Sequence, residues 1–142
     1  DNYVRDGQAT FGFALTTGTG QAYSQTASQA ALCAGEQGAF WEMSSELFRL
    51  ATSMGVQSAF SLSQIDDSAD SMGLDSQKLV NCVSSSKYLN LLATYSTFAQ
   101  DHGVTGTPTV LVSYDGLSWS KMPSRAYDSL VALTEAANRN AQ

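Results

Sequence analysis

The hydrophobic period of this 142-residue chain changes twice along its length, and that change restricts its fold more than any other feature. Residues 8–17 alternate small or polar with apolar side chains and place Phe11, Phe13 and Leu15 on one face, the pattern of a strand. From Ser24 to Met54 the apolar residues recur every three or four positions, the pattern of packed helices; the period is weak over 57–75 and returns in a short and a longer helix that end at His102-Gly103. Period two then returns in Thr109–Tyr114, and Asp115-Gly116 reads as a two-residue hairpin turn leading into Leu117–Met122. Pro123 stops that strand, and Tyr127, Leu130, Val131, Leu133 and Thr134 share one side of a final helix that frays near 138–142. Strand, several helices, hairpin and helix in that order make an α/β chain.

Within the helical stretch, Ser24 or Thr26 can cap a run carrying Ala27, Ala30, Ala31 and Ala34. Gly35 and Gly38 each weaken it by up to about 1 kcal/mol relative to alanine, so a kink or two helices are expected. Phe40, Met43, Leu47, Leu50 and Met54 form an amphipathic stripe, widened by Trp41 and Phe48. Residues 57–75 are rich in Ser and Asp. Asp66, Asp67 and Asp70 lack calcium-loop spacing and read as a solvated acidic helix N-terminus. Asp75 is the expected N-cap of a short helix with Leu79, Val80 and Val83. Ser84-Ser85-Ser86 breaks it, and a longer helix buries Tyr88, Leu91, Leu92, Tyr95, Phe98 and Ala99 before ending at His102-Gly103. His102 suits the negative end of that helix better than a catalytic role. Gly18-Thr19-Gly20 is too short for a phosphate loop and reads as a plain loop.

Composition removes several functions. The length suits one domain, residues 1–142. Seven Lys and Arg against thirteen Asp and Glu give a net charge of −6, without the basic clusters a nucleic-acid binder needs. Two cysteines and one histidine make a zinc site from this chain alone an unfavoured reading, and no metal or cofactor is expected. No apolar run reaches the roughly 18 residues of a membrane span, and Asp1–Gly7 holds no apolar signal core. No Gly-x-Ser-x-Gly accompanies the abundant serines, which leaves a hydrolase little support.

Three strings give the chain a resemblance. Residues 30–43 (AALCAGEQGAFWEM) and 79–88 (LVNCVSSSKY) are similar to the inserted helices of DsbA-like, BdbD-type thiol–disulfide oxidoreductases. Residues 103–109 (GVTGTPT) resemble that family's cis-proline loop. The resemblance implies a thioredoxin-like fold with a helical insertion at about 24–102. It implies a cis Thr107–Pro108 peptide, where the backbone of Thr107 receives an extended substrate or partner as an added strand. An ordinary trans proline opening a strand is the alternative.

The family's activity needs a Cys-x-x-Cys at a helix N-terminus, where the dipole favours a thiolate. This sequence contains none, so the resemblance implies that the motif strand and its helix precede Asp1. The chain by itself is then expected to have no catalytic residue and to be inactive. The expected function is a DsbA-like protein, incomplete or degenerate at its N-terminus, or else a non-catalytic thioredoxin-like binding or structural module in an extracytoplasmic complex. In the family Cys33 and Cys82 match a second, structural disulfide, worth roughly 4 kcal/mol in the chain-entropy model; two buried free thiols are the alternative. A disulfide implies a periplasmic, envelope or secreted location. The absent central strand implies that another segment or chain donates one, rather than that residues 9–16 ladder directly with 109–114.

Overall fold

Two glycines divide the alanine-rich run into two helices in the computed structural model, which describes residues 2–17 and 21–140. Helix α2 spans Gln21–Gly35 and α3 spans Phe40–Met54. The first begins ahead of Ser24 and Thr26, and the Thr26 hydroxyl donates instead to the Ala22 carbonyl at 3.2 Å. The reversal depends on both glycines: Gly38 sits at φ +80°, and a Cβ on Gly35 would lie 3.3 Å from that of Phe40. The Gly18–Gly20 loop lies outside the described residues.

Four further helices follow: α4 (Val56–Ala59), α5 (Leu62–Ser71), α6 (Ser76–Ser84) and α7 (Leu89–Asp101). Ser61 caps α5, its hydroxyl accepting from the Gln64 amide at 3.3 Å. The acidic residues Asp66, Asp67 and Asp70 therefore lie inside α5 and not at its start. Asp75 caps α6, with Oδ1 accepting from the Lys78 amide at 2.9 Å.

Residues Leu15–Thr97 form one compact unit. Its core joins Ala30, Cys33 and Ala34 of α2 to Met43 and Leu47 of α3, Ile65 and Ala69 of α5, and Leu79 and Val83 of α6. Small residues on α2 let its neighbours approach closely. The apolar face of α3 is narrower than its composition suggests: Trp41 and Phe48 are 54% and 71% exposed. At about 100° per residue they fall on a line nearly opposite Met43, Leu47 and Leu50.

The second unit comprises Asp1–Ala14 and Phe98–Gln142. It contains α1 (Asn2–Arg5), strands β1 (Leu111–Val112) and β2 (Ser120–Lys121), and α8 (Tyr127–Asn140). The strands pair antiparallel with Leu111 opposite Lys121 and Val112 opposite Ser120. Asp115-Gly116 thus lies within a wider loop and does not make a two-residue turn. Asp115 Oδ1 sets that loop by accepting from the Ser118 amide at 2.7 Å, the Leu117 amide at 2.8 Å and the Ser113 hydroxyl at 3.0 Å.

Residues 9–17 have no regular secondary structure, and Phe11 and Phe13 are exposed, contrary to the strand expected there. Alternation prepares a strand, but a ladder partner is needed to form one. They also form no ladder with 109–114.

Tyr3 donates to Glu135 Oε1 at 3.0 Å, tying α1 to α8. At the end of α7, His102 Nδ1 lies 2.7 Å from the Phe98 carbonyl oxygen, and Gly103 takes φ +64°. Trp119 meets the Phe98 ring edge to face at 5.5 Å. Among the described residues no helix is long and apolar enough to cross a membrane.

Candidate functional site

Helices α2 and α6 pack side by side, and each delivers a cysteine from its last turn. Cys33 is 2% exposed within the core, whereas Cys82 is only partly buried. Their sulfurs form a disulfide across 49 residues of sequence, with Cα atoms 6.0 Å apart. Gln37 fixes the approach of the two elements. Its side-chain carbonyl accepts from the Asp75 amide at 2.9 Å, and its Nε2 donates to the Asp75 carbonyl at 3.2 Å.

Glu36, one turn beyond Cys33, completes the site. Its Oε1 lies 3.4 Å from Cys82 Sγ. A disulfide sulfur carries no proton, so this is a contact in the oxidised state; only the reduced thiol could donate across it. Lys87 donates to Glu36 Oε2 at 2.8 Å, and the Tyr88 hydroxyl donates to Oε1 at 2.8 Å. These bonds, from Lys87 first and Tyr88 second, hold the Glu36 carboxyl below its usual pKa. The same bond raises Lys87 above its ordinary value. Tyr88 is raised too, by burial first and then by its bond to Glu36. The carboxylate is therefore ionised and aimed, one oxygen at Lys87 and the other at Cys82.

The electrostatics of this couple are opposite to those of a cysteine at a helix N-terminus. Both sulfurs sit where a helix is partially negative, Cys33 is buried, and Cys82 faces a carboxylate. Cys82 is the more exposed of the two cysteines.

Thr107 and Pro108 lie in the other unit. Their peptide bond is cis and both residues are exposed. Arg125 Nη1 donates to the Pro108 carbonyl at 3.1 Å, and the Thr109 hydroxyl donates to the Gly106 carbonyl at 2.6 Å. These bonds fix the loop that leads into β1.

One functional expectation is corrected by this geometry. The chain was expected to lack a catalytic cysteine pair and so to be degenerate, incomplete or inactive by itself. It holds a formed disulfide with a carboxylate against it, the components of a redox centre, although the two cysteines are not spaced as Cys-x-x-Cys. Sequence reading found both cysteines and placed Tyr88 on the buried face of a helix, but gave no role to Glu36 or Lys87. The available signals were the one-turn spacing of Cys33 and Glu36, and the Ser84–Ser86 break that turns the chain back after Cys82.

Comparison with curated proteins and with solved structures gave no match. Residues 8–132 match the DSBA-like thioredoxin domain. That span takes in the helical insertion, the cysteine pair and the proline loop, and the small open sheet with added helices is that fold in expanded form. The chain belongs to the family of DSBA-like thioredoxin domains.

Proposed function

We propose that this domain takes part in thiol–disulfide exchange through the Cys33–Cys82 couple, with the disulfide as its resting state. The observation that carries this reading is the formed disulfide with Glu36 Oε1 at 3.4 Å from Cys82 Sγ, the sulfur of the less buried cysteine. In this reading the reduced chain gives electrons to a partner disulfide. The Cys82 thiol loses its proton and its sulfur attacks one partner sulfur. The partner S–S bond breaks, and its other sulfur leaves as a thiolate and takes a proton. Cys33 then loses its own proton and attacks Cys82 Sγ, the mixed disulfide breaks, and the partner departs as a dithiol. Two electrons and two protons have moved to the partner.

Glu36 accepts a hydrogen bond from the Cys82 thiol before attack. The burial of Cys33 keeps solvent from the resolving sulfur. Independently of that couple, we propose that Thr107–Pro108, in the other unit, receives an extended partner segment. It is supported by the exposure of both residues and by a sheet in which β1, among the described residues, pairs only with β2. An oxidising, extracytoplasmic setting is supported by family membership and by the disulfide.

The test mixes the reduced chain with a disulfide-bonded peptide, quenches with acid, and measures alkylated thiols by mass spectrometry. One peptide dithiol should appear for each chain oxidised, and a Cys33→Ser chain should accumulate a mixed disulfide at Cys82. If the reduced chain leaves the peptide disulfide intact, or the trapped adduct forms without Cys82, the reading fails.

A further inference from the structure

We propose that reduction turns the Cys33–Glu36–Cys82 cluster into a binding site for a thiophilic divalent cation such as Zn2+. The ligand atoms of the three residues all lie within 4.8 Å of one another. In a tetrahedral site with Zn–S near 2.3 Å and Zn–O near 2.0 Å, a sulfur and an oxygen ligand stand about 3.5 Å apart. Cys82 Sγ and Glu36 Oε1 already stand at 3.4 Å, so one edge of the polyhedron is built before any metal arrives. The sulfurs must separate to about 3.8 Å. With the Cα atoms 6.0 Å apart, rotation of the two cysteine side chains supplies that separation without displacing α2 from α6.

The surroundings support the same assignment. Lys87 holds Glu36 by Oε2 and the Tyr88 hydroxyl donates to Oε1, so both partners orient the carboxylate with Oε1 toward Cys82 and its second lone pair open to the metal, as outer partners orient ligands in metal sites. Two thiolates and one carboxylate are balanced by a divalent cation and the Lys87 ammonium, so the closed site carries no net charge. Two sulfur ligands favour Zn2+ over Mg2+ or Ca2+. The partial exposure of Cys82 leaves the fourth position to water. Opening the disulfide consumes an external dithiol, which becomes a disulfide as each cysteine gains an electron and a proton. The cation then displaces the two thiol protons to solvent. The oxidised chain cannot form the site, so metal occupancy reports the redox state of the couple.

The site requires only that the disulfide be opened chemically, so it stands or falls separately from exchange with protein partners. The experiment titrates the full chain with Co2+ without oxygen, once oxidised and once reduced with a phosphine, while far-UV circular dichroism follows the helices. The reduced chain should bind one equivalent, with thiolate charge-transfer and tetrahedral d–d bands that Zn2+ abolishes. The oxidised chain should show neither band. Glu36→Gln and Lys87→Met should each weaken binding about tenfold or more while keeping the helical signal. Equal binding by the oxidised chain, absence of thiolate bands, unchanged affinity in Glu36→Gln, or a reduced chain that stays unfolded with Co2+ present would each overturn the proposal.

Discussion

A single carboxylate oxygen organises the loop between the two strands. Asp115 is held well below the ordinary carboxylate range, first by the Ser118 amide, then by the Leu117 amide and the Ser113 hydroxyl. A depressed folded-state value means that its stabilising effect is complete above the unfolded value, about 3.9 for aspartate, and is lost as pH falls through the folded one. The loop should therefore be insensitive to pH from neutrality down to that value and open only in stronger acid. Carboxyl-carbon NMR of Asp115 checks this, and a midpoint at the ordinary aspartate value would contradict it. Asp115→Asn should abolish the acid transition. The sequence marked Asp115-Gly116 as a turn but gave the wrong turn, because three donors converging on one oxygen are visible only once the loop is folded.

At the scale of elements, legibility follows how local the determining physics is. The α6 cap at Asp75 and the two-helix break at Gly35 and Gly38 depend on residues within a few positions, and they could be read directly. The strand expected at 8–17 depends on a neighbour elsewhere in the chain and did not form. The site divides the same way. Two cysteines draw notice by type, whereas Glu36 and Lys87 matter only because α6 and the turn after it return to the end of α2.

Helix α6 offers a direct test of this packing. Leu79 is 1% exposed between α2 and α5, and Leu79→Ala should cost about 2–5 kcal/mol in urea unfolding. The exposed Phe48→Ala on α3 should change stability by no more than about 0.5 kcal/mol. Similar losses for the two would mean that the buried face of the helical unit has been misassigned.

For the molecule as a whole, the buried residues are unevenly shared between the two units. Met43, Ile65, Leu79 and Cys33 are the largest fully buried side chains, and all belong to residues 15–97. In the other unit, Ala99 and Met122 are the buried hydrophobic residues among those described. Local opening is easiest where few apolar contacts must be broken. Amide exchange should therefore be slow in α2, α3, α5 and α6 and much faster across 104–126. Uniform protection over both segments would rule this out.

The Cys33–Cys82 bond has a consequence that depends on connectivity rather than energy. It closes residues 33–82 into a covalent ring, and α3, α4 and α5 all lie on that ring. A protease that cuts the backbone once within the ring, for instance at the Gly55 link between α3 and α4, divides the polypeptide but not the molecule. Both pieces remain joined at the sulfurs, and the nicked protein migrates as one species until a thiol separates them. The oxidised domain thus survives, as a single covalent object, an injury that would split its reduced form in two.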